Sequence, residues 1–188
     1  MVTPANIRLV PSPPADAESV ATTFTSLGLT RQMVHASESG DPSGKEIWLA
    51  EDAETIACWN DDPLLGVSYI EVLGADDAAL AEKIRSNLTM DDITKLTTRV
   101  STDRDLDTLM DSLFRTAVIA YSGHDPQVFA LLSSALYDPE PLVRRGALLA
   151  ISVTGWASFI PVVEEVSEQD PEAEVRDQAV RVRNCLDD

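Results

Sequence analysis

Hydrophobic and polar positions along this chain follow two rhythms, one before about residue 98 and another after it. In the first part, short β-prone runs alternate with amphipathic helical stretches. Asn6 to Val10 is strand-like. Ser12-Pro13-Pro14-Ala15-Asp16 then reads as a helix start, with a capping Ser12, prolines suited to a first turn and an acid near the positive helix end. Val20, Phe24 and Leu27 give that helix an apolar face, and Gly28 is placed to end it. Thr30–Ser37, Lys45–Ala50 and Thr55–Asn60 are rich in strand formers and are separated by the turn signals Asp41-Pro42-Ser43-Gly44 and Glu51-Asp52. Asp61-Asp62-Pro63 breaks the chain, and Leu64–Leu73 reads as another strand. Gly74 leads into a helix over Asp76–Asn87 with Ala79, Leu80 and Ile84 inward, and Thr89-Met90-Asp91-Asp92 caps a short helix ending near Thr98. The order β-α-β-β-β-β-α-α predicts an α+β domain over residues 1–98, sandwich-like, with helices on one face of a mainly antiparallel sheet.

After Thr98 the strand signal vanishes, and residues 99–188 read as an all-α domain. Ser101-Thr102-Asp103 opens a helix to about Ser122, with Leu106, Leu109, Leu113 and Ala117 at helical spacing. An internal repeat follows. Asp138-Pro139-Glu140-Pro141-Leu142-Val143-Arg144-Arg145-Gly146-Ala147 recurs as Asp170-Pro171-Glu172-Ala173-Glu174-Val175-Arg176-Asp177-Gln178-Ala179. The period is 32, and six of ten positions match. Proline after aspartate fits a turn that ends one helix and starts the next. Val143, Ala147, Ala150 and Ile151 then face inward on one helix, and Val175, Ala179, Val182 and Leu186 on the next. The hairpins so defined are Asp125–Leu136 with Glu140–Ser152, and Ala157–Glu168 with Pro171–Leu186.

Asp-Pro, then Val-Arg, then Ala at these offsets resembles the second-helix signature of HEAT-like repeats of the short bacterial type. The resemblance covers Asp125–Leu186 and extends poorly over Asp103–Ser122, and it makes Asp105–Ser122 the second helix of a truncated first unit. It implies a helical-hairpin stack in which Asp138, Arg144, Asp170 and Arg176 are structural. Asp138 would pair with Arg176, or with Arg144 within a turn. A short stack needs its ends covered. The helix Asp91–Thr98 of the α+β domain is the natural cap at one end, and the charged last helix (Glu172, Glu174, Asp177, Arg181, Arg183) serves at the other.

In such a stack the second helices line one surface. Shifting by the repeat maps Arg145, Leu149 and Ser152 onto Asp177, Arg181 and Asn184, and a looser shift of 30 maps the first two back onto Arg115 and Ile119. Arginine beside aliphatic residues is a common interface composition. The partner-binding expectation is therefore Arg115, Ile119, Arg145, Leu149, Asp177 and Arg181.

Charge sharpens this picture. The net charge is −18, and each half (residues 1–100 and 101–188) carries 7 basic and 16 acidic residues. That field repels nucleic acid and anionic membrane and favours a basic protein partner. Only Lys45, Lys83 and Lys95 are lysines. No apolar run reaches the roughly 18 residues of a membrane span, and Met1 to Pro14 lacks an export pattern, so a cytoplasmic setting with Cys58 and Cys185 reduced is expected.

Catalytic chemistry leaves little trace. His35 and His124 have no partner at metal spacing, and the cysteines form no CxxC pair. The β-α-β-β-β order resembles one module of the vicinal-oxygen-chelate enzymes, with His35 and Glu71 at tempting positions. Those enzymes pair two modules and only one is present. Gly40-Asp41-Pro42-Ser43-Gly44 is a hairpin turn rather than a nucleophile elbow, and Asp61-Asp62, Asp76-Asp77 and Asp91-Asp92 read as element-end charges. Asn87-Leu88-Thr89 fits a glycosylation acceptor with no export route. No catalytic residue, metal or cofactor is expected. The functional expectation is a non-catalytic protein–protein interaction module, scaffold or adaptor. Alternatives are an acidic inhibitor or immunity-type protein neutralising a basic enzyme, and an enzyme accessory of the bilin-lyase type that shares short HEAT-like repeats.

Overall fold

A computed structural model describes residues 6–35, 45–102 and 105–187, with the side chains of residues 33–35 and 101 outside the description. The turn expected at Asp41–Gly44 lies outside the described residues. The chain divides into two compact units, Met1–Asp91 and Asp92–Asp188.

The first unit is α+β. Its elements are β1 (Ile7–Leu9), α1 (Ala17–Ser26), β2 (Thr30–His35), β3 (Lys45–Leu49), β4 (Ile56–Asp62), β5 (Val67–Leu73) and α2 (Asp77–Asn87). The strands form one sheet in the order β1-β5-β4-β3-β2, antiparallel at every pairing. β2 to β5 are a meander, and β1 joins its free edge with Leu9 opposite Ile70.

Alternation sorts the strand residues. Leu9, Trp48, Ala57, Trp59, Ile70 and Val72 point to one face, where they bury against Val20 and Phe24 of α1 and Leu80, Ala81 and Ile84 of α2. Phe24 meets Trp48 edge to face at 5.6 Å.

Several local expectations shift. α1 is capped by Asp16, whose carboxylate accepts from the Ser19 N–H at 2.9 Å while the Ser19 hydroxyl accepts from the Asp16 N–H at 3.0 Å. Ser12, expected as the cap, instead donates its hydroxyl to Asp91 at 2.7 Å. Leu64 is not in a strand. β4 runs through Asp62, whose carboxylate accepts from the N–H groups of Leu64 and Leu65, and this turn leaves Leu64 exposed. Ala79 is exposed rather than inward, because Leu80, Ala81 and Ile84 carry the buried side of α2.

The second unit is helical, and among the described residues no strand follows β5. Its helices are α3 (Ile93–Thr102), α4 (Leu106–Ala120), α5 (Pro126–Ala135), α6 (Pro141–Thr154), α7 (Ile160–Gln169, preceded by the 3₁₀ turn Ala157–Phe159) and α8 (Ala173–Asp187). The break expected between Thr98 and Ser101 lies further on: α3 runs through Thr102, and the Asp105 carboxylate caps α4 through the Thr108 N–H at 3.0 Å.

Consecutive helices pair as the hairpins α3/α4, α5/α6 and α7/α8, and the second helices lie side by side, α4 on α6 and α6 on α8. The unit division falls before α3 rather than at residue 98, because α3 packs on α4 and α5 as the first helix of a hairpin. Residues 105–122 are accordingly the second half of a whole hairpin, not of a truncated one. All eight inward positions expected on α6 and α8 are buried. Leu109, Leu113 and Ala117 are buried as well, whereas Leu106 is half-buried.

Candidate functional site

Two sets of residues on the helical unit carry expectations, and the structure treats them differently. The repeat residues sit at the turns α5–α6 and α7–α8. Asp138 folds onto its own turn, accepting from the Glu140 N–H at 2.9 Å, and Asp170 does the same with the Glu172 N–H at 2.9 Å. Arg144, one helical turn into α6, donates from Nη1 to the Asp138 and Pro139 carbonyls at 2.9 and 3.3 Å. Arg176 repeats this with Nη1 to the Asp170 and Pro171 carbonyls at 2.6 and 3.0 Å.

The remaining edge of the Arg144 guanidinium meets Asp170 of the next turn, Nε to Oδ2 at 2.7 Å and Nη2 to Oδ1 at 2.9 Å. This is the bidentate fork that strong carboxylate recognition uses. Both side chains are sealed, at 7% and 3% exposure. Burial pushes the Asp170 carboxyl up, but the Arg144 guanidinium and the Glu172 N–H outweigh it and hold the carboxyl below the usual range.

The pairing thus differs from the expectation. Arg144 is joined to the aspartate of the following turn, not Asp138 to Arg176. It touches Asp138 through the backbone carbonyl, since the Asp138 carboxylate is already engaged by its own turn.

The partner-binding set lies on α4, α6 and α8, the three helices that pack in sequence. Asp177 and Arg181 of α8 are exposed, and Ile119 and Leu149 are half-buried. Arg115 is held along its own helix, Nε to both oxygens of Asp111 at 2.8 and 3.0 Å, and its side chain is only 13% exposed. Arg145 bridges to α8, Nη1 to Glu174 at 3.0 Å and Nε to Gln178 at 3.2 Å, while the Gln178 amide donates to the Arg145 carbonyl at 2.9 Å. The sequence marks Glu174 only as a charge of the last helix and gives Gln178 no role. The usable signal is positional, because they flank Asp177, the position one repeat beyond Arg145.

The positions considered for other chemistry are occupied structurally. Glu71, nearly buried in β5, is paired with Arg8 at 3.3 Å and with Lys45 at 4.0 Å, so its charge is already met by two cations. The side chain of His35 lies outside the described residues. Burial pushes the Cys58 thiol up, which keeps it protonated and weakly nucleophilic. Among the described residues, no group of three or more His, Cys, Asp and Glu side chains could hold a metal ion. Asp62 and Asp92 accept backbone N–H groups at element ends.

His124 is exposed and stacks on Trp156, with ring centroids 4.5 Å apart. Phe129 and Phe159 continue this aromatic group at 4.6 Å from each other.

One concavity escaped the sequence reading. A cleft of about 330 Å³ opens between the α5–α6 turn and the α7–α8 hairpin, walled by Tyr137, Glu165, Gln169 and Pro171 with the Arg144–Asp170 pair among its lining. Among the described residues, no helix is long and apolar enough to cross a membrane. Comparison of the chain with protein-family models, with curated proteins and with solved structures finds no match.

Proposed function

We propose that this chain is a non-catalytic protein-binding module whose helical unit is a short HEAT-like stack and whose docking face is formed by α4, α6 and α8. The observation that carries the reading is the side-by-side placement of those helices, each of which carries an arginine or an aliphatic side chain that the core does not fully use. Arg181 and Asp177 are open to solvent, while Ile119 and Leu149 keep part of their apolar surface uncovered. Half-buried aliphatics rimmed by arginine can exclude water at their centre while the guanidinium pairs at the edge. The period of 32 and the matching carbonyl contacts of Arg144 and Arg176 support the stacked-repeat part of the proposal. The charge of −18 favours a partner of opposite sign and makes its association rate salt-dependent.

The test compares the native chain with Leu149→Asp plus Arg181→Glu, and with Arg181→Glu alone, as baits at low and high salt. The double variant should keep native circular dichroism and melting behaviour yet lose the specific partner, with the single variant weakened. A double variant that folds and retains every partner would overturn this assignment of the face. A partner held only at low salt, and lost equally by surface charge changes elsewhere, would instead favour the acidic-inhibitor reading.

A further inference from the structure

The cleft between the α5–α6 turn and the α7–α8 hairpin differs in chemistry from the α4–α6–α8 face. Its lining holds three carboxylates, Asp138, Glu165 and Asp170, against the single cation Arg144. Asp170 is neutralised by the Arg144 fork, and four of the five guanidinium N–H groups are directed at Asp170 or at the Asp138 and Pro139 carbonyls. The positive charge of Arg144 is thus already met by a buried carboxylate, which weakens its pull on an anion. Asp138 and Glu165 leave the cleft net negative, with carboxylate acceptors still open after Asp138 takes the Glu140 N–H.

Over this floor stands Tyr137, an aromatic ring that is 57% exposed. Partial burial, and then its hydrogen bond to Glu165, raise the Tyr137 hydroxyl, so it stays protonated and orients that carboxylate. Leu136, Val166 and Pro171 supply apolar wall. The volume of about 330 Å³ lies at the small end of the roughly 300–1,000 Å³ typical of ligand sites.

We infer that this cleft receives one basic side chain, arginine or lysine, of a protein partner, its stem along Leu136, Val166 and Pro171 and its charged head between the Tyr137 ring and the Glu165 carboxylate. A ring face with an adjacent carboxylate is the arrangement that holds such cations, by cation–π attraction and a charge-assisted hydrogen bond together. The overall charge of −18 draws the same ligand in from a distance. The inference rests on the protein-binding reading only in assigning the side chain to a protein. The cleft's preference for a cation is separate from the α4–α6–α8 face.

The experiment uses the full chain and a single-residue probe, so that its outcome does not depend on that face. N-acetyl-arginine amide is titrated into isotope-labelled protein and followed by amide shifts, with the uncharged N-acetyl-citrulline amide as control. Shifts should centre on Tyr137, Glu165 and Gln169, and citrulline should produce none. Glu165→Gln and Tyr137→Ala should each weaken binding by about threefold to fivefold, the worth of one exposed cation–π or ion-pair contact. Both side chains are exposed, so melting curves should stay close to wild type. Glu168→Gln removes the same charge from the same helix outside the cleft lining and should change binding little. Shifts scattered over the acidic surface, equal losses for Glu165→Gln and Glu168→Gln, or binding of citrulline as tight as arginine would each overturn the inference.

Discussion

Replacing Arg144 with alanine should damage the helical unit far more than the same change at Arg176, although the repeat makes the two positions equivalent. In the folded unit Arg144 is 6% exposed and makes four hydrogen bonds, two of them to the buried Asp170 carboxylate. Alanine leaves that carboxylate sealed without its cation, and deleting one partner of a buried ion pair costs about 3–5 kcal/mol. A domain of 60–100 residues loses roughly 4–8 °C of melting temperature per kcal/mol, so the drop should exceed about 12 °C. That is a large share of a total stability of about 5–15 kcal/mol.

Arg176 is half-buried, and its hydrogen bonds are to the carbonyls of Asp170 and Pro171. Its loss should cost about 1 kcal/mol, the net worth of ordinary hydrogen bonds. Arg144→Lys should fall between, since lysine keeps the charge but cannot make the fork. Differential scanning calorimetry and urea unfolding of the three variants measure the ranking. Equal losses at Arg144 and Arg176, or a loss below about 1 kcal/mol at Arg144, would refute the argument that the buried fork, rather than the repeat position, sets the energy.

Two further predictions follow from the same kind of reasoning. Asp170 is depressed by Arg144 and the Glu172 N–H, and Asp105 by the Thr108 side chain and N–H, so both folded-state pKa values lie below the unfolded ones. Their contribution is full above the usual carboxylate range and is lost as pH falls through the lower folded values. Urea unfolding from pH 7 downward should show stability falling below about pH 4, and Asp170→Asn should lower the neutral plateau and flatten that fall. A variant losing as much stability on acidification as the wild type would contradict this. In the first unit, Gly74 has φ +127°, and a Cβ there would strike the Glu54 carbonyl and Thr55 backbone, neither of which can yield as a side-chain end would. Gly74→Ala should destabilise by about 2–4 kcal/mol, read from the denaturation midpoint. An alanine variant of native stability would show that the strand-to-helix turn is not constrained as described.

Local periodicity made much of this fold legible. The inward sets Val143, Ala147, Ile151 and Val175, Ala179, Val182 are repeated apolar spacings that only a helix can place on one side, and they are buried. The strands Lys45–Leu49 and Val67–Leu73 were readable for a similar reason, being short β-rich segments bounded by turn formers. What failed was whatever depends on a choice between adjacent candidates. Ser12 and Asp16 are both good caps, and the capping box with Ser19 decided for Asp16. The α3/α4 break lacks a proline or glycine, so Ser101-Thr102-Asp103 looked like a start when Thr102 is an end.

The same limit explains the site. An arginine six residues after an aspartate announces a repeat, yet nothing in that spacing says which aspartate its fork will reach, because the answer depends on how closely two hairpins approach. Nor could spacing show that Arg115 and Arg145 would find partners in Asp111, Glu174 and Gln178. Arg181, on the charged last helix, is exposed. Docking strength on the proposed face should therefore depend on Arg181 and Leu149 more than on Arg115, whose guanidinium would have to leave a carboxylate before meeting a partner.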